Sequence, residues 1–256
     1  MAQQWRLVLD GQRDGVWNMA VDRAIQLVHS EGSAPPTLRL YGWRAATVSL
    51  GRFQRAEPDL VDRCWRSGVG IVRRPTGGRG VLHDDEVTYS IVAGARDGLP
   101  RGVSDSYRYL CAGVIDAYVQ LGVGAELATR KRGTRHDAAC YLHATTADVS
   151  VGSAKLAGSA QVWQGETCLQ HGSFTRTRDI ERESYVFGLD RAESIRLEET
   201  TATLDDLLGR APDISTVRDG VAAGFSRALG VSMLEGELEE AEVEIARTLL
   251  GEYEVE

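Results

Sequence analysis

The sequence predicts an α+β fold, with a mixed or antiparallel sheet flanked by helices and a helical C-terminal section. Three observations point there. Short β-rich runs with interspersed helices fill the chain up to Phe174. After Phe174 the apolar spacing becomes helical and stays so. Neighbouring strand runs around residues 70–92 and 148–173 are separated by turn residues, which argues for hairpins and against a doubly wound parallel sheet. The chain has 256 residues, 43% of them hydrophobic, enough for a substantial core without disulfides or metals. The expected division is a main α+β domain over residues 1–200 and a helical section over residues 201–256 packed on it.

Arg6–Asp10 reads as a first strand, and Gly15–His29 as a helix with Val16, Met19, Ala20, Ile25 and Val28 near one face. Thr37–Tyr41 and Ala46–Leu50 are strands, and Pro58–Ser67 is a short helix with proline in its first turn. Val69–Arg73 is a strand, and Pro75-Thr76-Gly77-Gly78 reads as a tight hairpin-like turn into strands at Val81–Leu82 and Val87–Val92. Ser104–Leu121 is a helix that Ser104 can cap. Residues 129–146 are polar and irregular, the kind of long loop that often carries function. Asp148–Val151, Lys155–Ala157 and Thr167–Gln170 return to the sheet. Thr203-Leu204-Asp205-Asp206 has capping-box character, and Ser215–Leu229 and Leu238–Leu250 are amphipathic helices.

Charge and cysteine content exclude several classes. The net charge of −8 resides in residues 235–256, with nine acidic side chains against one arginine, and the remainder is balanced. No nucleic-acid partner is implied, and the acidic run reads as a solvated helix face. No stretch is long and apolar enough to span a membrane, and the N-terminus lacks a signal-peptide pattern, so the expected location is cytoplasmic. Cys64, Cys111, Cys140 and Cys168 form no CxxC pair and no metal-ligand spacing, so they read as free thiols.

Four features carry chemistry. Arg73–Asp84 packs three arginines, three glycines and a histidine around one turn. Glycines let backbone N–H groups approach an anion or carbonyl, and arginines pair with phosphate. On composition alone the stretch reads equally as a surface hairpin with solvated arginines. Lys155-Leu156-Ala157-Gly158-Ser159-Ala160-Gln161 sets a lysine before a wall of small residues, with room for a slender substrate. Gln170-His171-Gly172 adds a second histidine to His83, and neither histidine belongs to a metal motif. Cys140 is the candidate nucleophile, with Arg130–Arg135 the nearest cations in sequence and Lys155 fifteen positions on. A cysteine–lysine pair suits thioester exchange, because an ammonium stabilises first the thiolate and then the oxyanion.

Together these stretches resemble the lipoate branch of the biotin/lipoate protein ligase superfamily. The resemblance runs in order through Asn18–Asp22, Trp43-Arg44, Val48–Gln54, Arg73–Asp84, Lys155–Gln161 and Gln170–Gly172. The loop typical of the biotin branch is absent, with Gly51-Arg52-Phe53-Gln54 in its place. The resemblance implies a mixed α/β domain with the acyl chain in a tunnel beside the glycine-rich turn. It implies that Lys155 contacts the acyl carbonyl and that Trp43, Arg74, Thr76, Gly77, Gly78, His83, Gly158, Ser159, Ala160 and His171 surround the substrate.

Within that branch, Ala139-Cys140-Tyr141 is similar to the Ala-Cys-Phe of the single-chain octanoyltransferases, whose cysteine is the nucleophile. Tyrosine replaces the usual phenylalanine, and Ser153-Ala154 stands where a companion cation precedes the lysine. The implied reaction moves an octanoyl group from acyl carrier protein, through Cys140, to a lysine of a lipoyl domain or of the glycine-cleavage H protein. It requires no cofactor. The alternatives are an ATP-dependent lipoate ligase subunit, an amidotransferase between lipoyl domains, and a non-catalytic carrier-binding module.

Overall fold

The computed structural model describes residues 2–128 and 148–255. The chain begins with β1 (Gln3–Arg13), α1 (Gly15–Ser30), β2 (Thr37–Trp43), β3 (Thr47–Leu50) and α2 (Pro58–Arg66). It continues through β4 (Gly70–Arg73), β5 (Val81–His83), β6 (Glu86–Gly94), α3 (Val103–Gln120) and β7 (Glu126–Leu127). Then come β8 (Val149–Val151), β9 (Ala154–Ala157), β10 (Ser159–Gln164) and β11 (Thr167–Thr175). The last elements are α4 (Ile180–Phe187), α5 (Arg191–Thr200), α6 (Leu204–Leu208), α7 (Ile214–Leu229), β12 (Val231–Gly236) and α8 (Glu240–Tyr253).

A six-stranded sheet in the order β10-β11-β6-β2-β1-β12 forms the centre. It is mixed, as expected: β1 runs parallel to β2 and β12, while β6 is antiparallel to β2 and β11, and β10 to β11. Strand alternation sends Leu38, Leu40, Tyr89, Ile91 and Phe174 into one core with α3 and α7, and Tyr41, Trp43, Val92 and Leu169 into another with α1 and α8. Two three-stranded sheets, β4-β3-β5 and β7-β8-β9, stand beside it. Among the described residues no helix is long and apolar enough to cross a membrane.

Helix α1 is buried beyond its apolar stripe, and its polar residues are paired inside. Asn18 Nδ2 donates to the Gly42 carbonyl, and Gln26 donates to the Val162 and Thr167 carbonyls. Asp22 takes Arg39, and His29 meets Asp97. Such pairing is what permits a polar residue at a buried helix position.

Three local expectations are corrected. The Pro75–Gly78 stretch is not a hairpin, because β4 and β5 flank β3 on opposite sides and do not pair with each other. Strands β5 and β6 likewise belong to different sheets, so the antiparallel hairpin evidence rests on β8–β9 and β10–β11. The residue before α3 is Gly102, at φ 93°, and Ser104 lies inside the helix. The Thr203 capping box is present, with Asp206 reciprocating. The helical section after residue 200 also contributes β12, which pairs with β1 at the sheet edge. Its Leu204, Val217, Val221 and Phe225 share the core of the central sheet.

The α3–α7 crossing depends on missing side chains. A Cβ on Gly224 would lie 2.3 Å from the Ala117 backbone nitrogen, and backbone cannot step aside. We expect Gly224→Ala to lower the free energy of urea unfolding by about 1–3 kcal/mol. Gly251→Ala, in open space late in α8, should instead stabilise by about 0.5–1 kcal/mol, since helical alanine has less chain entropy to lose.

Candidate active site

The arginine- and glycine-rich turn is organised around Arg74, which is 5% exposed. Its Nη1 donates to the Ser49 carbonyl at 2.7 Å, and its Nη2 donates to the Gly77 and Arg79 carbonyls, both at 2.8 Å. The guanidinium therefore wraps its own loop rather than standing in solvent, and its fork geometry suits several carbonyls at once. Arg73 does the same for the turn before it, donating to the carbonyls of Gly51 and Gln54. The two turns touch: a Cβ on Gly51 would lie 2.0 Å from the Gly78 oxygen, and Gly78 itself has φ 104°. Both positions require glycine.

Arg74 also reaches two hydroxyls. Its Nη1 donates to Ser49 Oγ at 3.2 Å, and its Nε to Thr76 Oγ1 at 3.1 Å. Each hydroxyl meets a histidine Nε2, Ser49 with His83 at 2.8 Å and Thr76 with His171 at 2.7 Å. Behind each ring, Nδ1 faces a buried carboxylate: Glu86 at 2.8 Å for His83 and Asp22 at 3.5 Å for His171. The carboxylates assign each ring proton to Nδ1, so Nε2 accepts from the hydroxyl. Two parallel chains, carboxylate to histidine to hydroxyl, thus meet at one guanidinium.

Both carboxylates are further satisfied. Asp22 accepts from Arg39, Tyr41 and Ser90, and Arg39 also pairs with Asp10. Glu86 accepts from Ser173, Thr88 and the indole N–H of Trp43, whose ring stacks on His83 at 4.1 Å. Burial works to raise the Asp22 carboxyl, but the hydrogen bond from His171 and the Arg39 charge outweigh it and hold it below the usual range. Burial likewise opposes Glu86, and electrostatic attraction to the adjoining His83 ring, together with its hydrogen bond, carries Glu86 below its ordinary value. Burial holds His171 below its ordinary 6.5 against the pull of Asp22.

In front of this polar layer lies a mostly apolar pocket of about 610 Å³, its open mouth included. Trp43, Arg74, Gly78, His83, Lys155, Gly158, Ser159, Ala160 and His171 all border it, so the structure brings together nine residues predicted from distant parts of the sequence. Thr76 and Gly77 do not border it and act one layer behind, on His171 and Arg74. Met19, Tyr41, Ser49, Val81, Thr88, Gly172 and Ser173 complete the wall. Lys155 is 3% exposed, with its Nζ 3.2 Å from Asp148 Oδ1, so the predicted cation is buried beside an anion instead of solvated.

Cys140, Tyr141 and the Arg130–Arg135 cluster lie outside the described residues. The three described cysteines are poorly suited to be nucleophiles. Burial pushes the Cys64 thiol up to about 11, lifts Cys111 to about 12, and raises Cys168 as well. Reasoning from sequence missed Glu86, Ser49 and Asp148. Glu86 follows His83 by three positions, and Asp148 precedes Lys155 by seven, but nothing in sequence alone ties either to its partner.

The site combines a mostly apolar pocket, walled in part by small residues, with one buried ammonium at its border. Comparison with known proteins gives the class. The chain belongs to the lipoyl protein ligase A/B catalytic domain family, which matches residues 14–226. It is similar to the octanoyltransferase LipM of Kyrpidia tusciae, 40% identical over 98% of this chain and 96% of that protein. The octanoyltransferase LipM of Symbiobacterium thermophilum is also 40% identical, over 98% of this chain and 95% of its own. Among solved structures, a lipoate-protein ligase A bound with ATP superposes with a TM-score of 0.81 at 24% identity, covering 98% of this chain and 95% of that one. The Ta0514 protein of T. acidophilum, a lipoate protein ligase homologue with bound lipoic acid, gives 0.78 at 24% identity and the same coverage. These structures show the shared fold.

The buried layer makes a pH prediction. Asp22, Glu86 and His171 all titrate below their ordinary values, so the unfolded chain binds each proton more readily and stability rises with pH. The His171 contribution is complete above 6.5 and is lost as pH falls below that value. Those of the carboxylates are complete above their ordinary 3.8 and 4.5 and are lost on further acidification. Urea unfolding should therefore show stability falling between pH 7.5 and 5, roughly the window in which histidine titrates, and His171→Gln should flatten that fall.

Proposed function

We propose that this chain is an octanoyltransferase that moves the acyl group from an acyl carrier protein thioester to a lysine of a lipoyl-carrier protein through Cys140. The observation that carries the reading is the 40% identity, over 98% of the chain, to proteins named octanoyltransferase. The pocket supports it: a buried ammonium beside small residues suits a thioester carbonyl, and apolar walls suit an alkyl chain. The raised thiols of Cys64, Cys111 and Cys168 leave Cys140 as the candidate nucleophile. A cytoplasmic setting belongs to the same proposal, because free thiols persist there.

The reaction balances in two steps. The Cys140 thiol gives up its proton, its sulfur bonds to the donor carbonyl carbon, and the carbonyl electron pair moves to oxygen. Collapse breaks the donor C–S bond, and the departing pantetheine sulfur takes a proton. The neutral amine of the acceptor lysine then attacks the new thioester, the Cys140 C–S bond breaks, and the amine proton passes to the sulfur. Because a thioester already carries its activation, no ATP or metal is required. Lys155 holds positive charge where each oxyanion forms, a contribution of about 3 kcal/mol for a donor of this type.

Mass spectrometry after mixing the protein with octanoyl-acyl carrier protein, without ATP, should show one octanoyl adduct on Cys140. Cys140→Ser should abolish the adduct and lower turnover about a thousandfold or more. A requirement for free octanoate and ATP, with Cys140→Ser near wild type, would mean a ligase instead. Binding with no turnover would mean a carrier-binding module, and faster transfer from an octanoylated lipoyl domain would mean an amidotransferase. Lys155→Met should lower kcat by about a hundredfold to a thousandfold in steady-state assays.

A further inference from the structure

A row of polar side chains crosses the sheet to the reactive end of the pocket, and one member can only donate. Register places Ser159, Gln161 and Trp163 of β10 opposite Gly172, Gln170 and Cys168 of β11, with Tyr89 of β6 opposite Gly172. The indole N–H of Trp163 donates to Gln161 Oε1 at 3.0 Å. An indole nitrogen never accepts, so this contact settles which end of the Gln161 amide is oxygen. Gln161 Nε2 then donates to Gln170 Oε1 at 3.3 Å, and Gln170 Nε2 donates to the Tyr89 hydroxyl at 3.1 Å. The Tyr89 oxygen, already accepting there, has one proton left, and its other partner is Ser159 Oγ at 2.7 Å. Ser159 Oγ is the acceptor that the described residues offer to that proton, so we take Tyr89 to donate to Ser159, which leaves the Ser159 proton to point elsewhere. No described protein group accepts that proton, and Ser159 borders the pocket together with Lys155.

Gly172 makes the last link possible. Tyr89 reaches Ser159 across the intervening strand, and a Cβ at position 172 would lie 2.9 Å from both Ser159 Oγ and a Tyr89 ring carbon. A side chain there would crowd both Ser159 and the Tyr89 ring.

We infer that Ser159 is a catalytic residue, a neutral hydrogen-bond donor to the acyl carbonyl oxygen, with its proton directed into the pocket by the relay Trp163–Gln161–Gln170–Tyr89. This inference rests on the octanoyl-transfer reading and adds to it a second donor beside Lys155. As sulfur or nitrogen adds to the carbonyl carbon, the displaced electron pair collects on oxygen, and the Ser159 O–H···O bond strengthens without transferring its proton. A donor already oriented needs no rearrangement when that charge appears. Successive hydrogen bonds that donate in one direction also polarise one another, so the Ser159 proton is more acidic as a donor than that of an isolated hydroxyl. Tyr89, Gln170, Gln161 and Trp163 act through Ser159 and are positioning residues.

The test is the single-turnover rate of octanoyl adduct formation on Cys140 from octanoyl-acyl carrier protein, with KM and Tm measured alongside. Ser159→Ala should slow acylation about a hundredfold with little change in KM. Ser159→Thr, which keeps the hydroxyl, should recover at least about a tenth of the wild-type rate on the same basis. Tyr89→Phe leaves the Ser159 hydroxyl but removes its orientation, and should cost about threefold to tenfold in rate at unchanged KM. Ser159→Ala acylating as fast as wild type overturns the inference and leaves the octanoyl-transfer reading intact. Alanine and threonine variants slowed alike, with Tm lowered alike, overturn it too, since the hydroxyl is then not the cause. A wild-type protein that forms no adduct overturns both.

Discussion

Everything at the pocket depends on one constraint: polar groups carried into a protein interior must find partners there. The two histidines, two carboxylates and Arg74 meet it collectively. Arg74 holds the glycine-rich loop by its carbonyls and supplies the donors that set the Ser49 and Thr76 hydroxyls. Those hydroxyls occupy the histidine Nε2 atoms, and Asp22 and Glu86 occupy the Nδ1 atoms. With so much of its hydrogen-bonding capacity met within the layer, the pocket wall is left mostly apolar. A pocket lined by named polar residues is in this way made hospitable to an alkyl chain.

The opposite end has the reverse character. Lys155 is buried against Asp148, and the Ser159 hydroxyl lies 2.7 Å from that of Tyr89, the contact from which we infer that the Ser159 proton points into the pocket. On the proposed reading, this charge and this donor meet the carbonyl of a bound thioester. The separation follows from strand alternation: His171 and Gly172 are neighbours in β11, but they face opposite sides of the sheet. His171 joins the α1 side with Asp22, and Gly172 opens the α3 side for Tyr89.

Much of this was legible in the sequence because it is local. Arg73–Asp84 and Lys155–Gln161 are contiguous, and the resemblance carried them to the right family. The α1 helix, the α7 helix and the Thr203 cap follow from periodicity and cap chemistry within a few residues. What was not legible depends on partners far apart in the chain. Pro75–Gly78 looks like a hairpin turn because strands follow one another around it, yet the pairing partner of both is β3, some twenty residues earlier in the case of β4. Strand β12 is half exposed and mixes Ser232, Met233 and Leu234, so it lacks clean alternation and is defined by β1 at the opposite end of the chain. Glu86 is surrounded by Trp43, His83 and Ser173, of which only His83 is near it in sequence.

The central claim is that the acyl carbonyl lies at the Lys155–Ser159 end, with the alkyl chain running toward the histidine layer. A crystal structure of the octanoyl-enzyme, trapped on Cys140 in the absence of acceptor, tests this most directly. The account predicts the thioester oxygen within hydrogen-bond distance of both Lys155 Nζ and Ser159 Oγ, with the last carbons of the chain against Trp43 and His83. A thioester oxygen held instead by the Gly77–Gly78 turn, with the chain pointing away from the histidines, would contradict it.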